Sequence, residues 1–285
     1  MNKPALKKFA TYAREKLTAD ITYKANLLGI TNTDIKQPLP ESTNNTQYLD
    51  YGGKDPYIIT GKQINQRKQL AHKISEKAKL DGYKNAFKNI IEEVAYTWFN
   101  RIIAIRYMEV NDFLPDNIRI LSSLSRKAEP DIVTTPFETN LSFTIIEKDL
   151  ITTLKSDNNS DELFKILFIK QCNSLNNILP ELFEKIDDYS EILLNISYTD
   201  KEGVIAHLVN DISEEDFTNA IQIIGWMYQF YNGAPKEETF ANLSKNIKIQ
   251  KENIPAATQL FTPAWIVKYM VENSLGRIWL DKNKK

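Results

Sequence analysis

Glycine is scarce in this chain, with nine residues in 285, against about 7% in an average protein. Doubly wound α/β domains and β-sandwiches use glycine at their turns. The shortage therefore favours helices joined by polar loops. Cysteine is almost absent. Cys172 stands alone, which excludes an intramolecular disulfide and fits a reducing compartment. Its expected role is that of a small buried hydrophobe. The two histidines, His72 and His207, have no local partner set for a hydrolase or a metal centre. No catalytic residue and no metal site is expected. Long apolar runs are also missing. Even the stretch from Val94 to Val110 is broken by Arg101 and Arg106, so no comfortable membrane span is expected. The N-terminus reads without a signal peptide, and the cytoplasm is the expected location.

Net charge is low, with 36 basic residues against 37 acidic ones. This excludes a uniformly basic nucleic-acid binder, yet the charges are segregated. From Gly61 to Lys88 there are eight basic residues and two acidic ones. Lys62, Arg67, Lys68, Lys73, Lys77, Lys84 and Lys88 are candidates for contact with the phosphates of double-stranded DNA. Such contacts are salt-sensitive and carry no base information. From Glu181 to Thr218 eleven acids face two bases. That stretch is expected to face away from a duplex or to meet a basic protein.

Apolar spacing near three and four residues predicts a helix over 3–28, with Leu6, Phe9, Ala13, Leu17 and Ile21 inside. Residues 31–60 lose the period and read as an irregular excursion rich in turn formers. Helical pattern returns over about 60–109, broken near Asp81-Gly82. A short helix is expected over 117–127 and extended structure over 129–147. Helices follow near 147–155, 160–179, 181–196, 200–211, 214–231 and 235–244. The aromatic cluster Trp226, Tyr228, Phe230 and Tyr231 is read mainly as core. The expected class is mainly α: a multi-helix domain over 1–250, and a second unit beginning at 251–285.

The last segment carries the most information. Thr262 suits a helix N-cap and Pro263 the first helical position. Ile266, Met270, Leu275 and Ile278 recur on one face, with Gly276 as a point of bending. Phe261-Thr262-Pro263 resembles the triplet that precedes the core of N6-adenine DNA methyltransferases whose motif X comes first. The longer string Gln259-Leu260-Phe261-Thr262-Pro263, Trp265-Ile266-Val267 and Tyr269 to Arg277 resembles the PglX family of BREX phage-defence methyltransferases. Lys7-Lys8-Phe9-Ala10 with Ala13-Arg14, and Ile224 to Tyr231, resemble that family too. The three stretches lie in family order, so the resemblance spans the chain.

The resemblance implies a helical N-terminal region leading into the motif X helix of a methyltransferase domain. It implies S-adenosylmethionine as the cofactor of the whole protein, with Phe261, Thr262 and Pro263 at the cofactor pocket. Implied partners are double-stranded DNA, other BREX proteins and a phage DNA-mimic inhibitor. Two family features are missing here. No pair of glycines has Gly-x-Gly spacing, and no two prolines are adjacent, so neither the glycine-rich cofactor turn nor an Asn-Pro-Pro-Tyr base clamp is present. This segment is expected to be inactive alone, with the core elsewhere. An interaction module docking other defence proteins is the alternative reading. A metal-dependent nuclease site is not expected, because no Asp-x-Lys or Glu-x-Lys follows Pro115-Asp116 or Pro130-Asp131.

Overall fold

The computed structural model describes residues 1–184, 188–218, 220–249, 254–258 and 262–283. Helix α1 (Lys3–Leu27) starts where the Asn2 side chain accepts a hydrogen bond from the Ala5 amide, with Pro4 in the first turn. It buries Leu6, Phe9, Ala10, Ala13, Leu17 and Ile21, the stripe that the spacing predicts. Two further long helices, α2 (Lys62–Asp81) and α3 (Tyr83–Val110), pack together. Gly82 joins them with φ +76°, a left-handed corner that a side chain would strain.

Helix α3 is the central rod. It buries sixteen residues, Trp98 and Phe99 among them, and contacts α1, α2 and α10 (Gln222–Tyr231). Phe99 lies 4.3 Å from the Tyr231 ring and 6.5 Å from that of Phe9. Trp98 satisfies its buried indole N–H on the Ser190 carbonyl at 3.1 Å, on α7 (Tyr189–Leu193). Around this rod lie α4 (Asp131–Thr134), α5 (Ile145–Ser156), α6 (Ser160–Leu175), α8 (Val204–Asp211), α9 (Glu214–Phe217), α11 (Gly233–Leu243) and α12 (Ile254–Thr258). The mainly α class is the observed one. Among the described residues, no helix is long and apolar enough to cross a membrane.

Four expectations need correction. The excursion over 31–60 holds an antiparallel hairpin, β1 (Thr46–Leu49) and β2 (Tyr57–Thr60), with Thr46 opposite Thr60. Its strands are too short for alternation to show through the polar residues around them. Residues 117–127 form no helix. The Glu109 carboxylate takes the amides of Ile120 and Leu121, and Asp131 takes that of Leu124. Side chains have captured the N–H groups a helix would need. Residues 129–147 are not extended: they contain α4, a 3-10 turn over Pro136–Glu138 and the start of α5. There Thr144 and Glu147 form a capping box. The helices expected over 181–196 and 214–231 are shorter than the pattern suggests; α7 and the pair α9 and α10 are what form.

The C-terminal segment is α13 (Ala264–Val271), a π turn (Glu272–Gly276) and α14 (Arg277–Lys282), and it buries no residue. The Ile266, Met270, Leu275, Ile278 face expected from spacing is present but largely uncovered: Met270, Leu275 and Ile278 are exposed.

Candidate nucleic-acid interface

Helices α2 and α3 place the predicted lysines unequally. Lys68, Lys73, Lys84 and Lys88 are exposed and Lys77 is half-buried. None of these five has an ion pair among the described residues. Lys62 is exposed but engaged: its ammonium donates to Glu191 Oε2 at 2.6 Å, which also accepts from Gln66 Nε2 at 3.0 Å. The acidic stretch thus touches the basic one at Glu191 rather than lying wholly apart from it. Lys79 pairs with Glu76 within its own helix at 2.7 Å.

Arg67 is not part of this exposed set. Its side chain is buried, donating from Nε to the Leu28 carbonyl at 2.8 Å and from Nη2 to the Lys36 carbonyl at 2.6 Å. It ties the loop after α1 to α2. Burial pulls its pKa below the ordinary guanidinium value without discharging it.

The proposed cofactor-pocket residues divide. Phe261 lies outside the described residues. Pro263 serves as the N-cap of α13, one position later than the sequence suggests, with no side chain capping the helix start. Thr262 lines a cavity of about 980 Å³ between α13 and the bundle. The other walls include Tyr96, Phe99, Ile103, Met227, Tyr228 and Val267. Among the described residues, no acidic side chain lines it. The wall is mostly apolar, with Asn100, Gln222, Thr262 and Lys268 as its polar side chains besides the tyrosines.

A second polar region escapes sequence reading. Arg106 is sealed inside α3, donating to Glu109 Oε1 at 2.6 Å and to Ser122 Oγ at 2.9 Å. Its Nη2 reaches Glu214 Oε1 at 3.1 Å, and Arg119 donates to the same carboxylate. Burial opposes ionisation of Glu214, but the Arg119 hydrogen bond and the two guanidinium charges outweigh it and hold its pKa low. The one signal in the sequence was an arginine inside an apolar run. Among the described residues, no group of three or more His, Cys, Asp or Glu side chains is placed to hold a metal ion.

No protein-family model matches the chain. It is 46% identical, over 98% of its length, to the adenine-specific methyltransferase PglX of Lacticaseibacillus casei (strain Zhang). It is 35% identical, over 99% of its length, to the adenine-specific methyltransferase BrxX of Escherichia coli O9:H4 (strain HS). The chain spans 23% and 22% of the length of these relatives. Throughout its own length, then, it is a relative of PglX and BrxX, as the motifs at both ends and in the middle suggested.

Proposed function

We propose that this relative of PglX and BrxX is the helical DNA-holding part of a BREX adenine-specific methyltransferase. In this reading Lys68, Lys73, Lys77, Lys84 and Lys88 contact duplex phosphates along α2 and α3. Arg67 positions α2 rather than touching DNA, and Lys62 contributes only by exchanging Glu191 for a phosphate. The division falls near residue 250. The helix from Ala264 onward belongs with the methyltransferase core, where Thr262 and Pro263, together with Phe261, form one wall of the S-adenosylmethionine pocket. Methyl transfer needs groups this chain does not carry, so the chain alone is inactive. The protein works in the cytoplasm, where its DNA is.

The observation that carries this reading is the similarity, over 98% and 99% of this chain, to two adenine-specific methyltransferases. The five lysines without ion pairs among the described residues support placing DNA along α2 and α3. The test is a gel-shift titration of the chain against duplex DNA at several salt concentrations. Binding should weaken steeply with salt. Reversing Lys68, Lys73 and Lys84 to glutamate should reduce the salt slope by about 3, since each phosphate contact releases about one counterion. No shift at low salt would remove DNA contact from this region.

The exposed apolar helix supports a second reading, in which the domain docks other BREX proteins. A phage DNA-mimic inhibitor would use the same lysines, and its acidic surface would compete with DNA for them. Capture of such a protein with no DNA shift would favour docking as the main role.

A further inference from the structure

The region around Arg106 and Arg119 holds more hydrogen-bond donors than its acids can use. A cavity of about 720 Å³ opens between the 119–127 loop and α8 and α9. Arg106, Arg119, Ser122, Ser123, Arg126 and Lys127 line it, with Glu214 and Glu215 opposite. Arg106 is 1% exposed, and among the described residues neither its buried Nε–H nor that of Arg119 has an acceptor. An orphaned donor on a buried charged group is costly. Both arginines line the one polar cavity, where their guanidinium groups have room for a further acceptor.

Among the described residues, the one acid bridging both arginines is Glu214, and its side chain is 45% exposed. It sits at the start of a single-turn helix with its side chain partly open to solvent. Glu109 has no such exposure. Its side chain is fully buried and accepts from Arg106, Ser122 and two backbone amides.

The loop itself is built to hold its place. Asp131 accepts from Ser123 Oγ at 2.6 Å and from the Leu124 amide at 2.9 Å. Arg126 closes the turn on the Ser123 carbonyl at 3.0 Å with φ +56°. That turn carries Arg126 and Lys127 at the rim, exposed and without an ion pair among the described residues.

We propose that this cavity is an oxyanion site for a phosphoryl group, with Glu214 as an internal stand-in for the ligand. A tetrahedral phosphate offers several acceptor oxygens, and planar guanidinium forks suit it. On binding, the Glu214 carboxylate leaves, the phosphate takes the freed donors of Arg106 and Arg119, and Arg126 and Lys127 close over it. No bond is made or broken. The site uses none of the α2 and α3 lysines, so it stands or falls apart from the DNA contact proposed there. The phosphoryl group is either a free phosphate ester or a link of a nucleic-acid backbone.

The test is calorimetric titration of the chain with inorganic phosphate, at ionic strength matched with chloride. Saturable binding is expected. Glu214→Gln removes the competing charge and should tighten it roughly tenfold, as one lost charge-assisted hydrogen bond implies. The double variant Arg126→Ala/Lys127→Ala changes only exposed side chains and should weaken it by a similar factor. A Glu214 that merely stabilised the fold would lower the melting point on substitution and leave phosphate affinity unchanged. That result in a folded Glu214→Gln protein overturns the proposal. So does the absence of saturable binding, or full affinity in the double variant, which decides the matter if Glu214→Gln fails to fold. Phosphate that competes with duplex DNA for the wild-type chain identifies the ligand as a backbone phosphate. Phosphate that binds without competing identifies a free ester.

Discussion

Arg106 and Glu109 lie one helical turn apart on α3, joined by a hydrogen-bonded ion pair of 2.6 Å, and neither side chain reaches solvent. Glu109 also receives the amides of Ile120 and Leu121 and the hydroxyl of Ser122. One carboxylate therefore fixes both the arginine and the course of the chain after α3. A buried ion pair need not stabilise a fold relative to an apolar substitute, but breaking one leaves a stranded charge.

Removing that carboxylate should be expensive. Glu109→Ala leaves Arg106 with only Glu214 as a counter-charge and frees two buried amides. A loss of about 3–5 kcal/mol is expected, read as a lower midpoint in equilibrium urea unfolding. A loss within about 0.5 kcal/mol, the range of ordinary surface substitutions, would show that the network does not organise 117–127.

Arg67 and Lys68 are adjacent in sequence and should behave oppositely. Arg67→Lys cannot serve the Leu28 and Lys36 carbonyls together, because one ammonium does not span a guanidinium fork. It should cost roughly 1–3 kcal/mol of stability and leave DNA affinity unchanged when folded. Lys68→Glu should leave the melting curve in place and weaken DNA binding. Paired melting and gel-shift measurements on the two variants check this; a reversed pattern would put Arg67, not Lys68, on the DNA.

What could be read in advance follows a physical line. Helices α1, α2 and α3 were legible because each buries a periodic stripe, and Gly82 announces the corner between two of them. Residues 117–147 were misread because their course depends on Glu109, Asp131 and Glu147 capturing backbone amides. Those contacts between side chain and backbone leave no periodicity to read. The basic face was visible as composition, but spacing alone could not separate Arg67, turned inward onto carbonyls, from its exposed neighbours. The arginine cavity was hidden for the same reason: Arg106, Arg119 and Glu214 are far apart in sequence, and only the packing of α9 on α3 joins them.

His207 should make stability depend on pH in one direction. Its Nδ1 lies 2.7 Å from Asp211 and its Nε2 3.5 Å from Glu202. The Asp211 hydrogen bond, opposed by burial and aided by Glu202, raises its pKa above the ordinary 6.5. The folded chain then binds more proton at this site than the unfolded one. The stabilisation is complete below pH 6.5 and fades as pH rises through the raised folded value. For so accessible a pair it should be less than about 1 kcal/mol. Unfolding midpoints followed upward from pH 6.5 should fall in the wild type by more than in His207→Gln. Parallel curves would assign the pH dependence to other groups.

The C-terminal helices should behave as a surface awaiting cover. Trp265 is 71% exposed, Leu275 67% and Trp279 63%. Apolar surface concentrated in this way marks an interaction site or promotes association. The isolated chain should therefore self-associate as its concentration rises, and sedimentation velocity should show it. Substituting all three residues with serine should return it to a monomer. None of them packs into the core, so the unfolding midpoint should move little, each change staying within about 0.5 kcal/mol. In a protein that also carries the methyltransferase core, the same triple substitution should destabilise, because there the helices would be covered. A wild-type chain that stays monomeric, and a longer protein indifferent to the substitutions, would mean that these side chains face water by design and that α13 and α14 do not join the core.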